Sequence, residues 1–466
     1  MGMPRDPQDS HSERRSALLV AMLSSFLTPF MASSINVALP SIADEFSMTA
    51  VSLSWVVTSY LLAAAVFLVP FGRLADIHGR KKLFLYGMWI FTSASVLCAF
   101  APSAASLIAF RVLQGVGSAM MFGTSVAILS SVYPPHERGK ALGLTVATVY
   151  IGLAAGPFFG GVLTSLVTWR SLFLVTLPLC AAVLYAGYVK LRGEWAEARG
   201  EKFDLKGSAI YALALTAVVF GLSLLPDIEG GIACLLGAGG IAAFVLWELR
   251  VDKPVLDMKL FRYNRPFAFS NLAALINYSA TSAVVFFVSL YLQYVKELDA
   301  GTTGLVLVSQ PVMMAAFSPL AGKLSDAVEP QIIASVGMAI SAVGLLLLGL
   351  VSSETDILVV VGMLAFLGFG FALFSSPNMN AIMGSVEKKV YGVASASVST
   401  MRLVGQVLSL GIATLFIAVY VGDVEITPAL SEQFMDSYEF AFAAFAILCF
   451  IGVFASLARG KVRKEA

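Results

Sequence analysis

Gly72-Arg73-Leu74-Ala75-Asp76-Ile77-His78-Gly79-Arg80-Lys81-Lys82 packs six ionisable groups into eleven residues. On one side of it residues 51–71 carry no charge, and on the other residues 83–100 carry none. Apolar runs of that length span a bilayer as helices. The polar stretch is therefore expected to be a short loop between two neighbouring transmembrane helices. Gly72 and Gly79 let the backbone turn there, and Asp76 sits where a helix N-terminus favours an anion. The pattern returns as Gly322-Lys323-Leu324-Ser325-Asp326, and a proline (Pro70, Pro319) precedes each copy. That return marks an internal repeat.

Composition agrees. The 466 residues are 58% hydrophobic and only 13% charged, with a mean hydropathy of +0.85, whereas soluble domains carry roughly a quarter charged residues. The chain reads as a polytopic membrane protein. A net charge of +1 spread by loops gives no nucleic-acid footprint. Cys98, Cys180, Cys234 and Cys449 fall in apolar runs and are expected as free buried thiols. His11, His78 and His136 are scattered through polar segments, so no metal or cofactor is expected. Residues 18–31 behind Arg14 and Arg15 resemble a signal peptide, but the apolar stretch continues through Asn36 to Pro40, which favours an uncleaved first helix.

Apolar runs of membrane-crossing length fall near 17–40, 51–71, 83–100, 104–131, 141–166, 172–189, 208–225, 231–249, 267–295, 303–321, 331–351, 357–382, 391–420 and 439–458. The two longest, 267–295 and 391–420, have no central turn signal and are expected as single tilted helices. With fourteen spans and a cytoplasmic N-terminus, only Arg170 and Lys296 lie in outer loops and only Arg111 and Arg402 within spans. Every other Lys and Arg falls inside. One missed helix would invert that partition.

The repeat divides the chain into a cytoplasmic tail (1–16), a six-helix bundle (17–190), a linker (191–207), two extra helices (208–249), a cytoplasmic loop (250–266), a second six-helix bundle (267–458) and a tail (459–466). The region from Lys190 to Lys206, with five basic and four acidic residues, is expected to be a solvated connection. Secondary transporters are built from such repeats, with the substrate site near the midplane between them.

Three stretches coincide with one family. Residues 72–82 resemble the signature cytoplasmic loop of the major facilitator superfamily, with Ile77 where arginine is common. Arg111 to Gly117 is similar to that superfamily's arginine-glutamine-glycine motif. Gly143, Gly152, Gly156-Pro157 and Gly160-Gly161 resemble the span 5 motif of drug:proton antiporters. Asn36 to Pro40 and the segment from Pro254 to Phe267 resemble the fourteen-helix branch. The resemblance implies an all-α fold of two six-helix bundles plus two extra central helices, and alternating access coupled to proton exchange. It also implies that the signature loop (Gly72, Asp76, Gly79, Arg80, and Gly322 and Asp326 in the repeat) and the bent glycine seam control conformation. That branch commonly carries an aspartate five residues before Asn36, where this chain has Met31, which weakens the case for proton coupling and for a cationic cargo.

The physics of these residues can be stated without the family. Gly152, Gly156 and Gly160 leave a side-chain-free groove for another helix, and Pro157 clashes with the carbonyl at 153. An arginine at a helix centre costs about 2.5–3.5 kcal/mol on insertion scales, so Arg111 and Arg402 are expected to meet a wet cavity or a partner. Arg111 lies roughly 10 Å from the outer end of its span. Snorkelling competes with a cavity role for it, and interhelical bonding does so for Arg402. Gln114 shares a face with Arg111. Asn36, Asn271, Asn277, Tyr278, Gln310 and Asn378 are further candidates to line the cavity, with interhelical hydrogen bonding as the competing role. Met120, Met121, Met313, Met314, Phe286 and Phe287 suit either an adaptable pocket or packing.

These features imply an exporter of drugs or amphipathic metabolites in the inner (plasma) membrane. Both termini would be cytoplasmic, and a monomer would act on a small-molecule substrate and protons within the lipid bilayer. The alternative is an organic-anion transporter, or a facilitator without proton antiport. A sensor would want a soluble output domain. An enzyme would want an internal catalytic cluster, and no span contains a histidine.

Overall fold

The computed structural model describes residues 7–191, 193–387, 391–427 and 430–460. Among the described residues, fourteen helices are long and apolar enough to cross a membrane. The first six are α1 (Glu13–Phe46), α2 (Ala50–His78), α3 (Arg80–Ala99), α4 (Ala104–Val132), α5 (Gly143–Leu166) and α6 (Ser171–Lys190). The two that follow are α7 (Leu205–Leu224) and α8 (Ile228–Glu248). The last six are α9 (Arg265–Val295), α10 (Ala300–Ser325), α11 (Pro330–Gly349), α12 (Ile357–Gly384), α13 (Val393–Tyr420) and α14 (Ser431–Ala458). No strand occurs among the described residues. In the first bundle α1 packs on α5 and α4 on both α2 and α3. In the second, α12 packs on α10 and α11, and α9 on α13 and α14.

The extra pair is not peripheral to both bundles. The Tyr211 hydroxyl of α7 donates to the Ala65 carbonyl of α2 at 3.1 Å. The bare Gly411 of α13 gives room to Leu222, whose Cδ1 lies 2.8 Å from where a Cβ would sit. α7 thus covers a seam between the bundles.

The signature stretch is less of a loop than its charge suggests. α2 stays helical through Gly72 to His78, and the chain breaks only at Gly79, whose φ of +118° is a conformation that side chains disfavour. Gly72 therefore makes no turn, and a Cβ there would meet nothing within 4 Å. Asp76 lies in the last turn of α2 rather than at a helix N-terminus. The repeat at Gly322 likewise lies inside a helix, and the side chain of Asp326 falls outside the described residues.

Span 9 also departs from expectation. It is interrupted at Ser282 and Ala283, between helical segments Arg265–Thr281 and Val284–Leu290. The freed Ala283 amide donates to Ser409 Oγ at 2.9 Å, and Thr281 Oγ1 donates to the Asn277 carbonyl at 2.8 Å. Hydroxyls that bond to backbone compete with the helix ladder, and a neighbouring helix supplies the missing partner. α10 is broken at Val308, three residues before Pro311, which has no amide proton and clashes with the carbonyl at 307. α14 begins at Ser431, eight residues earlier than its apolar run, so Glu439 is an exposed residue within a helix.

Candidate functional site

A cavity of about 270 Å³ lies between the bundles, lined by α1, α2, α4 and α5 on one side and α9, α10, α12 and α13 on the other. An even number of spans puts both chain termini at one end of the molecule. Toward that end the lining reaches Val126, Thr145, Met379 and Ser395.

The opposite end is closed by contacts between bundles. Ser289 Oγ donates to the Asn36 carbonyl at 2.8 Å, and Gln293 Nε2 to the Val37 carbonyl at 3.1 Å. Thr414 Oγ1 donates to Ser54 Oγ at 3.0 Å. The glycine motif works at the same end. A Cβ on Gly161 would lie 2.3 Å from the Ala300 carbonyl, and one on Gly304 2.2 Å from the Pro157 carbonyl. Gly152, Gly156 and Gly160 instead serve the first bundle: Cβ atoms there would meet Phe26 O at 2.7 Å, Ser33 Oγ at 1.8 Å and Ser34 O at 2.8 Å. Backbone therefore packs on backbone along α1. A Cβ on Gly143 would meet nothing within 4 Å.

Arg402 enters this cavity. Its guanidinium carbon stands 4.9 Å from the centroid of Phe122 on the facing bundle, a cation–π contact, and its Nε has no hydrogen-bond partner. Around it stand Tyr278, which packs edge-on to Phe371 at 5.5 Å, and Tyr150, whose hydroxyl bonds Ser375 Oγ at 3.0 Å across the bundles. Among the described lining residues Arg402 alone carries a formal charge at neutral pH. Asn36 and Gln310 also line the cavity.

Arg111 is elsewhere. It is 0% exposed, donates from Nε to the Val56 carbonyl at 3.0 Å and from Nη1 to Gln114 Oε1 at 2.6 Å, and lies 4.3 Å from the centroid of Tyr60. Gln114 Nε2 passes the chain on to Ser95 Oγ at 2.8 Å. Neither residue lines the cavity, and Arg111 reaches it only through Tyr60, which does. Asn271 bonds the Phe267 carbonyl of its own helix at 2.9 Å, and Asn378 ties α12 to the Ser270 carbonyl of α9 at 3.2 Å. The side-chain amide of Asn277 is fully buried without a hydrogen-bond partner. None of the three lines the cavity, and of the methionine and phenylalanine candidates only Met314 does. Phe286 and Phe287 pack against each other, and Phe287 against Tyr438. Sequence patterning missed Tyr150, Ser375, Phe371, Phe122 and Gln406, because a polar or aromatic residue on a transmembrane helix has no periodic mark that separates cavity from core.

At the end carrying the termini, the linker is a strap rather than a free connection. Glu194 accepts from the Lys81 and Lys82 amides at 3.0 and 3.2 Å and so caps the start of α3. The Ala198 amide donates to the Asp76 carbonyl at 2.9 Å. Arg80 joins Asp76 of its own stretch to Glu197 of the strap, and Glu201 bonds both Arg73 and Lys253. Lys253 and Arg73 hold the Glu201 carboxyl below its usual range.

Comparison with known proteins agrees with this geometry. The profile of the Major Facilitator Superfamily matches residues 21–408, and in a second placement 270–466. The chain is 29% identical to the riboflavin transporter RibZ of Clostridioides difficile, over 83% of this chain and 84% of that one. It is 32% identical to the multidrug resistance protein Stp of Mycobacterium tuberculosis, over 85% of this chain and 74% of the other. A bacterial homologue of the human lysosomal transporter Spinster has a similar fold, with a TM-score of 0.66 at 17% identity and coverage of 98% of both chains.

Proposed function

The chain belongs to the Major Facilitator Superfamily, and from that premise we propose that it exports amphipathic small molecules with an aromatic body and an anionic or zwitterionic group. The observation that carries this reading is Arg402, a single cation held among Phe122, Tyr150 and Tyr278 in a cavity between the bundles. Aromatic walls take flat apolar cargo, and an arginine guanidinium among them offers a carboxylate or sulfonate a charge-assisted partner. Transport proceeds by alternating access in the plasma membrane, with both termini cytoplasmic and the cavity reaching toward the cytoplasm in this conformation. The closed end would open when the Ser289–Asn36 and Gln293–Val37 bonds part.

The driving force has two readings. Proton exchange follows the family resemblance. Movement of organic anions without it is favoured by one feature: no carboxylate is found among the described lining residues, and Met31, at the resemblance's acidic position, is fully buried outside the lining. Uptake into proteoliposomes of a naphthalenesulfonate, a neutral naphthalene amide and a quaternary ammonium dye tests the proposal. Arg402→Gln is expected to lower sulfonate transport about tenfold and leave the neutral compound unchanged, from the loss of one charged hydrogen bond of roughly 1.5–3 kcal/mol. Preference for the dye would overturn it.

A further inference from the structure

Glu248, the last residue of α8, is 1% exposed. The Leu256 amide donates to its Oε2 at 2.8 Å, with the Val255 amide close by, while no donor reaches its Oε1. Asp204, at the start of α7, comes to meet it. Asp204 Oδ1 caps α7 by accepting from the Gly207 amide at 3.0 Å, and Oδ2 accepts from Trp247 Nε1 of α8 at 2.9 Å. A Cβ on Gly207 would sit 2.4 Å from Asp204 Oδ2 and 2.5 Å from Glu248 Oε1, so the two oxygens stand within about 5 Å of one another. The bare glycine makes room for that approach, and the two side chains are in hydrogen-bonding contact.

Two ionised carboxylates cannot bond each other, because each oxygen only accepts. Nor does a cation offset their charge. Among the described residues neither acid has an ion pair, and the basic groups on the surrounding elements are engaged elsewhere. Arg73 of α2 and Lys253 of the loop after α8 both bond Glu201, and Arg80 takes Asp76. Lys206 of α7 stands 5.8 Å from the centroid of the Trp247 ring, His78 of α2 bonds the Leu74 carbonyl, and Arg402 of α13 faces Phe122 in the cavity. Asp257 of the loop caps the Lys259 amide. Asp204 is the charged group that bears on Glu248. A buried carboxyl beside a second carboxylate avoids the cost of its own charge by keeping a proton. A proton on Glu248 Oε1 turns the unmatched acceptor into a donor, and Asp204 Oδ2 has a second lone pair to receive it beside the Trp247 bond.

We infer that Asp204 and Glu248 share one proton, and that this buried carboxyl pair is a proton-binding site pinning the start of α7 to the end of α8. Neither acid lines the cavity, so pH at the end carrying the termini sets its occupancy and cargo does not. Asp204 is the more exposed partner and passes the proton to and from solvent. When the proton leaves, two negative charges face each other. Asp204 then swings away and gives up both the Trp247 bond and the cap on α7. Because α7 covers a seam between the bundles, the site ties a rise in pH to a looser cover over that seam.

The test uses the full-length protein in nanodiscs, with infrared difference spectra and hydrogen exchange recorded from about pH 5 to about pH 9, a range that lies above the ordinary titration of carboxyls. The natural chain is expected to show the C=O stretch of one carboxylic acid that persists at neutral pH, fades in alkali and is missing in Glu248→Gln. The glutamine amide can still accept from Leu256 and donate to Asp204, so this variant holds the protonated arrangement at every pH. The Gly207 and Ser208 amides, whose acceptors belong to Asp204, are expected to exchange several-fold faster in the natural chain than in Glu248→Gln at the same alkaline pH, and equally fast at acid pH. Asp204→Asn keeps a capping side chain but removes the charge, so the Glu248 band should fade at lower pH in that variant. Absence at neutral pH of a carboxylic-acid band that Glu248→Gln removes would overturn the inference. A band that titrates at the same pH in Asp204→Asn would also overturn it, and that arm decides the matter if Glu248→Gln fails to fold.

Discussion

Glu197 holds Arg80 with both carboxylate oxygens, one 2.9 Å from Nη1 and the other 3.1 Å from Nη2. The same guanidinium bonds Asp76 Oδ1 at 2.8 Å and Ser131 Oγ at 2.6 Å, so one side chain joins the end of α2, the end of α4 and the strap. Glu197 is mostly exposed, and exposed ion pairs contribute about 0–1 kcal/mol to stability. Asp76→Asn and Glu197→Gln are therefore expected to leave the melting temperature within a few degrees of the natural protein. If the clasp forms in one conformational state only, both substitutions change initial transport rates several-fold, Asp76→Asn by slowing them. Unaltered rates in both variants would reduce the clasp to a structural turn.

Gly156 and Gly304 separate packing within a bundle from packing between bundles. Gly156→Ala drives a methyl into Ser33 within the first bundle, and overpacking of that kind costs typically 1–3 kcal/mol, so a lower melting temperature is expected. Gly304→Ala meets the Pro157 carbonyl across the interface, so each bundle folds and closure at that end is hindered. Cysteines paired across the closed end, at positions 36 and 289, should then crosslink more slowly in Gly304→Ala than in the natural background.

Arg111 is expected to matter for stability ahead of affinity. Arg111→Met leaves Gln114 Oε1 and the Val56 carbonyl without their charged donor, a loss of roughly 1.5–3 kcal/mol for each bond to a charged group, partly offset because the arginine is no longer buried. Thermal unfolding in nanodiscs should fall by several degrees, while the affinity of the cavity for a naphthoate changes less than twofold. A tenfold loss of affinity at unchanged melting temperature would assign Arg111 to the cavity instead.

Topology is open to direct labelling. In a cysteine-free background, cysteines at Ile228 and Ser353 should react in intact cells with an impermeant thiol reagent, and cysteines at Lys82 and Phe203 should not. The reverse pattern would invert the orientation that the basic loops imply.

Proton coupling is tested on the natural chain. With Met31 fully buried and no acid found among the described lining residues, addition of naphthoate to proteoliposomes is expected to move no protons, as followed by a pH-sensitive dye. Substrate-dependent proton counterflow would show that coupling survives without a carboxylate at that position. Met31→Asp is a poor probe, because an unpaired acid buried there costs several kcal/mol.

The sequence alone determined what bilayer physics forces on it. Uncharged runs of membrane length must be helical to satisfy their backbone, and basic residues must cluster on one side, so the fourteen spans and their boundaries, mostly within a few residues, were legible. The four-residue glycine spacing told that α5 packs closely, but only the tertiary structure divides Gly152, Gly156 and Gly160, which face α1, from Gly161, which faces α10. Nor did composition reveal the break in α9: no Gly or Pro lies near Ser282 and Ala283, and the interruption depends on Ser409, more than a hundred residues away, accepting the freed amide. The two arginines within spans, Arg111 and Arg402, looked alike as sequence, because an insertion cost registers depth and not the identity of the partner. Arg111 found Gln114 and the Val56 carbonyl within its own bundle, whereas Arg402 found the gap between bundles, a choice that exists only once two distant halves of the chain are brought face to face.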